Sequence, residues 1–277
     1  MGARGYNRAG EARELVEDFI EEDMTTLSAV LFDMDDTLID WSGLTEDWNQ
    51  VRRRHLKPVV DKLLEQGHTL LELEQFVEVY AASSDEAWSV AAEPDWIAPQ
   101  QLNVLSDALR RLGIEMDEEE VRELQQVYAW GALPGVEPFP DAVDVLKTLR
   151  EAGIRTGLVT NTSATMWMRD RELEAYGLLE YLDVRITAGD IGHLKPHRRA
   201  FEHVLEELGI EPESAVFVGD RLHDDVGGAQ SIGMKGVWVK RPRSIQHVNG
   251  VKPDATIEQL SELLGWLDRW FPGWREN

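Results

Sequence analysis

Residues 30 to 38 read VLFDMDDTL, an apolar run that breaks abruptly into three carboxylates and a threonine. Continuous apolar residues such as Val30, Leu31 and Phe32 suit a parallel strand covered on both faces. Beyond it, the stretch from 44 to 132 has almost no strand signal. Apolar positions there recur at helical spacing and predict helices over roughly 45–66, 69–92, 99–112 and 117–130, broken at Gly67, Pro94, Pro99 and Gly113. Leu133-Pro134-Gly135 and Pro138-Phe139-Pro140 read as a linker, followed by a helix from Asp141 to Ala152 that Gly153 stops. From there strand and helix alternate. IRTGLVTN is a strand ending at Thr160 and Asn161, a helix covers roughly 164–176, and VRITAGD is a short strand. RRAFEHVLEELG is a helix, SAVFVGD a strand ending at Asp220, DDVGGAQSIG a helix, KGVWVK a strand and DATI an edge strand before the last helix.

This alternation predicts an α/β protein whose core is a Rossmann-like parallel sheet flanked by helices. The block 44–132 interrupts it as an α-helical cap inserted after the first strand, so the core comprises 24–43 and 133–277. Residues 1–23 form an N-terminal extension, and Met24 is a candidate natural start. Leu15, Val16, Phe19 and Ile20 share one face of a short docking helix within it. In the final segment, IEQLSELLGWLDRWFPGW, Trp266, Trp270 and Trp274 with Leu260, Leu263, Leu264 and Leu267 are expected to pack on the core. That segment lacks the basic face a membrane-surface helix wants.

Composition narrows the partners. Among 277 residues, 52 Asp and Glu outweigh 28 Lys and Arg, for a formal net charge of -24. Such a surface repels nucleic acid and anionic membranes, so neither is expected as a partner. The cations divide into 21 Arg and 7 Lys. Excess acid with scarce lysine is a halophile-like composition. No cysteine is present, which excludes disulfides and thiolate metal sites. No apolar stretch is long enough to span a bilayer, and the N-terminus lacks an apolar signal core. A cytoplasmic protein, monomer or homodimer, is the expectation.

Ligands of open α/β sheets bind outside the carboxyl ends of the strands, where Asp33 and Asp35 fall. Carboxylates held that close resist joint ionisation unless a cation or proton compensates, and Mg²⁺ favours one or two carboxylates plus substrate phosphate. An acidic turn is the bland alternative. An EF-hand loop starting at Asp33 fails, because Leu38 and Leu44 stand where Gly and Glu are required. A two-component receiver domain would need only about half this chain, and its acceptor would not precede another Asp by two residues on the first strand. Other strand ends supply complementary groups: Thr160 and Asn161, then Lys195 in GDIGHLKPH, then Asp220 with Asp224 and Asp225 one turn later. Each alone has an ordinary structural explanation, such as a solvated lysine or a helix N-cap. Their order on successive segments of one sheet is harder to dismiss.

The set DMDDT at 33–37, Thr160, Lys195 and GDRLHDD at 219–225 resembles the signature of the haloacid dehalogenase-like hydrolases, in their phosphatase branch with a helical cap. The match spans about 24–43 and 134–257. The resemblance implies that Asp33 is a nucleophile forming an aspartyl-phosphate, and that Asp35 is the general acid and then the base. It implies Mg²⁺ held by the Asp33 carboxylate, the Asp35 backbone carbonyl and Asp220. Thr160, the Asn161 N–H and Lys195 would receive the remaining phosphate oxygens. Asp225 aligns with the last acidic position and would orient Lys195 or a metal-bound water, while Asp224 is a candidate metal-linked group. Asp36 stands where Gly is frequent, and His197 reads as a surface residue.

The implied activity is Mg²⁺-dependent hydrolysis of a small phosphorylated metabolite. Alternatives are a sugar phosphate mutase, another hydrolase of the family, or a noncatalytic phosphate- or metal-sensing module. Haloacid dehalogenases lack a carboxylate two residues after the nucleophile, so Asp35 argues against that chemistry. A phosphonate hydrolase would need a cap lysine, and nothing marks Lys57 or Lys62. For substrate contact the cap offers Trp41, Trp48 and the run Arg52-Arg53-Arg54-His55, of which at most one or two arginines can face a cleft. The segment AAEPDWIAPQ is a candidate specificity loop.

Overall fold

The computed structural model describes residues 26–68, 72–91, 95–242, 244 and 250–276. The expected docking helix over Leu15 to Ile20 and the start at Met24 lie outside the described residues. So do Ala92, Glu93 and Pro94 of the candidate specificity loop.

Strand β1 (Ala29–Phe32) sits near the middle of a six-stranded sheet with β4 (Arg155–Thr160), β5 (Val184–Thr187), β6 (Ala215–Gly219), β7 (Lys235–Val239) and β8 (Ala255–Ile257). The order is β5-β4-β1-β6-β7-β8, and all neighbours run parallel. All four residues of β1 are fully buried, as an apolar run covered on both faces requires. Val30 and Phe32 face a layer that includes α5 (Ala142–Glu151) and the C-terminal α10 (Glu262–Trp270). Ala29 and Leu31 face the opposite layer, where α8 (Arg198–Leu208) contributes Phe201, Val204 and Leu205. Leu260, Leu263, Leu267 and Trp274 are buried in the first layer, with Leu264, Trp266 and Trp270 packed on its margin.

Among the described residues four helices lie between β1 and α5: α1 (Trp48–Glu65), α2 (Leu73–Ser89), α3 (Gln101–Arg111) and α4 (Glu118–Gln126). Their apolar stripes, including Leu56, Phe76, Leu105 and Leu124, close a separate core. Ala164 and Met168, the latter on α6 (Met166–Ala175), join that core from the sheet side. Helix α1 starts at Trp48 rather than near 45 because Asp47 forms a capping box: its side chain accepts from the Gln50 N–H and the Gln50 side chain from the Asp47 N–H.

Where the chain leaves and re-enters the sheet layer, β2 (Ile39–Asp40) pairs antiparallel with β3 (Glu137–Pro138), a ladder the sequence pattern does not announce. Gly43 and Gly135 pack backbone to backbone beside it, and a Cβ on either would collide with the other's carbonyl. Two other elements differ from the sequence reading. The strand expected through VRITAGD stops at Thr187, whose hydroxyl accepts from the Asp190 N–H and starts the short helix α7 (Ala188–Ile191). The helix expected from Asp224 is a π-helical turn over Leu222–Gly227 that runs into α9 (Gly228–Gln230). Among the described residues no helix is long and apolar enough to cross a membrane.

Candidate active site

Because β4, β1 and β6 are adjacent and in register, their carboxyl ends deliver Thr160, Asp33 and Asp220 side by side. Asp33, Asp35, Thr160, Asn161, Lys195 and Asp220, with Arg221 and Ser244, line one cavity of about 300 Å³.

Lys195 is the buried cation of this cluster. Its Nζ lies 2.6 Å from Asp33 Oδ1 and 2.8 Å from Asp225 Oδ1, and it donates to the Val159 carbonyl at 2.7 Å. The Asn161 side chain fixes the lysine's backbone, accepting from the Lys195 N–H at 2.8 Å and donating to its carbonyl at 2.9 Å. Asn161 thus uses its side chain to hold a neighbouring catalytic candidate. The Thr160 hydroxyl is buried and has no partner among the described residues. A buried polar atom without a partner costs free energy, so an acceptor or donor delivered by a ligand would be well received there.

The two acidic candidates after Asp220 separate clearly. Asp225 is fully buried and accepts from the Arg221 N–H at 2.8 Å besides pairing with Lys195. Asp224 turns away to Arg221 and to His223 Nδ1 at 2.9 Å, so it stands apart from the carboxylate cluster. Gly219 makes room for this, since a Cβ there would overlap the Asp225 carboxylate.

Asp33, Asp220 and Asp225 each place a carboxylate oxygen within 4.8 Å of the others. Burial pushes Asp33 up to about 7; Lys195 opposes this, while Asp225 and Asp35 reinforce it. Burial and then the charges of Asp33 and Asp225 push Asp220 up to about 8. Burial alone would lower Lys195, but Asp225 and Asp33 outweigh it and raise it further above its ordinary value. Among the described residues no ion pair reaches Asp220; the Ser244 hydroxyl at 3.4 Å is its side-chain contact. Among the described residues, one buried lysine and the largely exposed Arg221 face three buried carboxylates, which leaves the cluster short of positive charge. That deficit fits a hard divalent cation with oxygen ligands.

Asp35 sits across the cavity, and what holds it is not legible as a motif. Its Oδ1 accepts from Trp41 Nε1 at 2.8 Å and from Arg169 at 2.6 Å. Arg169, on α6, is only 2% exposed and also lies 3.0 Å from Glu172, a fully buried carboxyl that burial pushes up to about 7 against the opposing Arg169 charge. The sequence reading missed Arg169 because RDREL looks like any charged helical stretch. Asp36 has a φ of 58°, in the left-handed region where Gly is favoured.

Of the helical-block candidates, Trp41, Trp48, Arg52 and His55 line a second cavity of about 540 Å³ that opens on Asp35 and Asn161. Arg53 instead pairs with Glu74 and Arg54 with Glu46. Lys57 pairs with Asp61 at 2.7 Å and Lys62 with Glu123 at 3.8 Å. His197 stacks on His193 away from the carboxylates.

Comparison with known proteins bears on the family and the fold. A sequence profile described as a haloacid dehalogenase-like hydrolase matches residues 27–233. A glyceraldehyde 3-phosphate phosphatase of Methanopyrus kandleri is 30% identical over 250 residues, covering 86% of this chain and 96% of that protein. The crystal structure of an HAD phosphatase from Thermococcus onnurineus aligns over 87% of this chain and 98% of that one, at 28% identity and a TM-score of 0.55. A 2-haloacid dehalogenase from Pseudomonas syringae aligns over 88% of this chain and all of that one (100%), at 27% identity and a TM-score of 0.59.

Proposed function

The chain belongs to the haloacid dehalogenase-like hydrolases and is a phosphoric monoester hydrolase, and from that premise we propose that it releases phosphate from a small phosphorylated metabolite through an aspartyl-phosphate on Asp33. In the first step the Asp33 carboxylate attacks phosphorus, the bond to the leaving oxygen breaks, and Asp35 gives that oxygen its proton. In the second, Asp35 takes a proton from water as the water attacks phosphorus. The bond to Asp33 breaks and the carboxylate is restored. Trp41 and Arg169 both engage Oδ1 of Asp35, so Oδ2 is the oxygen that would carry the proton in this scheme. Lys195 and the Thr160 hydroxyl, with the Asn161 N–H, receive the phosphoryl oxygens on which transition-state charge gathers.

The residues fit Mg²⁺ held by the Asp33 carboxylate, the Asp35 backbone carbonyl and Asp220. When bound, that ion shields the repulsion between anionic nucleophile and anionic phosphate and polarises a phosphoryl oxygen. Asp225 holds Lys195 against Asp33 and contributes through that lysine. Residues 44–132 act as a cap that keeps water from the reacting atoms and contacts the leaving group. Phosphate esters are charged and do not cross bilayers unaided, so the enzyme works in the cytoplasm, as a monomer or homodimer.

The observation supporting this reading is the placement of the Asp33, Lys195 and Asp220 group opposite a tethered Asp35 over one cavity. Dehalogenation, the chemistry named for the Pseudomonas syringae neighbour, has no use for Asp35. The test is hydrolysis of p-nitrophenyl phosphate. Turnover is expected with Mg²⁺, reversible suppression by EDTA, and none above background for Asp33→Asn. A near wild-type rate in that variant would remove Asp33 from the mechanism.

A further inference from the structure

Seven of the eighteen described residues that line the 540 Å³ cavity beyond Asp35 carry rings, with Arg52 and Asp85 beside them. It begins at the acid itself, because the Trp41 indole N–H is bonded to Asp35 and the Trp41 ring lies 5.8 Å from that of Trp48. On another wall the His55 ring lies 5.3 Å from Tyr128 and 4.9 Å from Trp130. Trp88 completes the mouth. Trp48 and Trp88 are large hydrophobic side chains left substantially exposed, at 53% and 39%, and both line this one cavity. Large apolar side chains left exposed together at one opening mark a binding surface.

A second observation points to the kind of occupant. His55 is 1% exposed, its Nε2 has no hydrogen-bond partner among the described residues, and burial with the neighbouring Arg54 holds the ring down to about 4, so it is neutral near pH 7. A buried neutral imidazole with an unmet nitrogen suits a hydrogen-bonding ring atom of a ligand. The volume lies within the roughly 300–1,000 Å³ of pockets that enclose multi-ring or drug-sized ligands, and a three-carbon leaving group would leave most of it to water.

We propose that the leaving alcohol of the substrate carries a planar, hydrogen-bonding heteroaromatic ring that stacks in this chamber, as in a nucleoside monophosphate or a phosphorylated pyridine alcohol. This rests on the phosphatase reading above and specifies its substrate class. The phosphoryl group sits at Asp33 and the leaving oxygen at Asp35. The ring extends past Trp41 toward Trp48 and Trp88, with His55 meeting its polar edge. Stacking one base on an aromatic side chain is typically worth roughly 5- to 150-fold in binding.

The experiment compares kcat/KM, with Mg²⁺, for adenosine and uridine 5′-monophosphates, pyridoxal 5′-phosphate, glycerol 3-phosphate and glyceraldehyde 3-phosphate. At least one ring-bearing ester is expected to exceed both ringless esters by about tenfold or more. The nucleotides and the pyridine ester distinguish a ring held beyond a sugar from one held next to the phosphate. Trp48→Ala should shrink the ratio of ring-bearing to ringless turnover, chiefly through KM, and Trp48→Phe should restore most of it. Ringless esters turned over as well as the ring-bearing ones, or a ratio unmoved by Trp48→Ala, overturns this inference alone. No phosphate release from any ester overturns the phosphatase reading and this inference with it.

Discussion

Removing divalent cations should make the protein lose stability as pH rises from about 4 to about 8, and Mg²⁺ should reverse the loss at the upper end only. The reasoning starts from Asp33, whose carboxyl is pushed up to about 7 from an ordinary 3.8. Between those values the folded state keeps a proton that the unfolded chain has released. Stability is therefore full below about pH 4 and falls as pH rises toward 7. At 1.36 kcal/mol per pKa unit, three units correspond to about 4 kcal/mol, which belongs to the interacting carboxylates together. Asp220, pushed up to about 8, acts in the same direction over a slightly wider window. Glu172 adds a fall of the same sign, and His55, held down to about 4, adds a rise between about 4 and 6.5. Neither of these touches the carboxylate cluster, so both cancel when melts with and without Mg²⁺ are subtracted at each pH. The assay is thermal melting of EDTA-treated protein at pH 5, 6, 7 and 8, with and without excess Mg²⁺. For a chain of this size 4 kcal/mol corresponds to a shift on the order of 10 °C. The Mg²⁺-induced shift should be small at pH 5 and approach that size by pH 8, and Asp220→Asn should flatten it. A shift equal at pH 5 and pH 8, or larger at pH 5, would refute the claim that these carboxylates are held together by a cation.

Lys195→Met leaves Asp33 and Asp225 buried without their shared cation, and removing one partner of such a pair typically costs about 3–5 kcal/mol. Its melting temperature should drop most at pH 8 and recover toward pH 5, while p-nitrophenyl phosphate turnover falls by about 10²-fold or more. Arg169→Met frees Asp35 from its 2.6 Å partner and should lower kcat by up to about 10²-fold with little change in KM. Adding Glu172→Gln to that variant should recover melting temperature without recovering kcat, which separates positioning of Asp35 from general packing. Gly219→Ala forces the Asp225 carboxylate aside, so turnover should fall with a loss of stability that circular dichroism melts will register.

The chain's local periodicities determined much of this protein before any contact was known. The uninterrupted run Val30-Leu31-Phe32 demanded a strand covered on both faces, and the later alternation of strands and helices demanded a parallel sheet. In such a sheet the carboxyl ends must share one edge, so Asp33, Thr160 and Asp220 were bound to converge. Boundaries were less legible, because a capping side chain can move one by several residues. Thr187 ended a strand early by capping a short helix, and the β2–β3 ladder depended on two segments almost a hundred residues apart.

What no sequence pattern settled was orientation and burial. Asp224 and Asp225 are neighbours of identical chemistry, yet a π-helical turn sends one to Arg221 and His223 and the other to Lys195. Arg169 became the partner of Asp35 because α6 packs with that side facing the sheet. His55 is held neutral near pH 7 by burial, and the indoles of Trp41, Trp48 and Trp88 line one cavity, because a loop and separate helices close over the same space. The physical reason is common to all of these. Backbone preferences act over a few residues and are written locally, whereas a side chain's charge and partners are set by which surfaces meet across the folded chain.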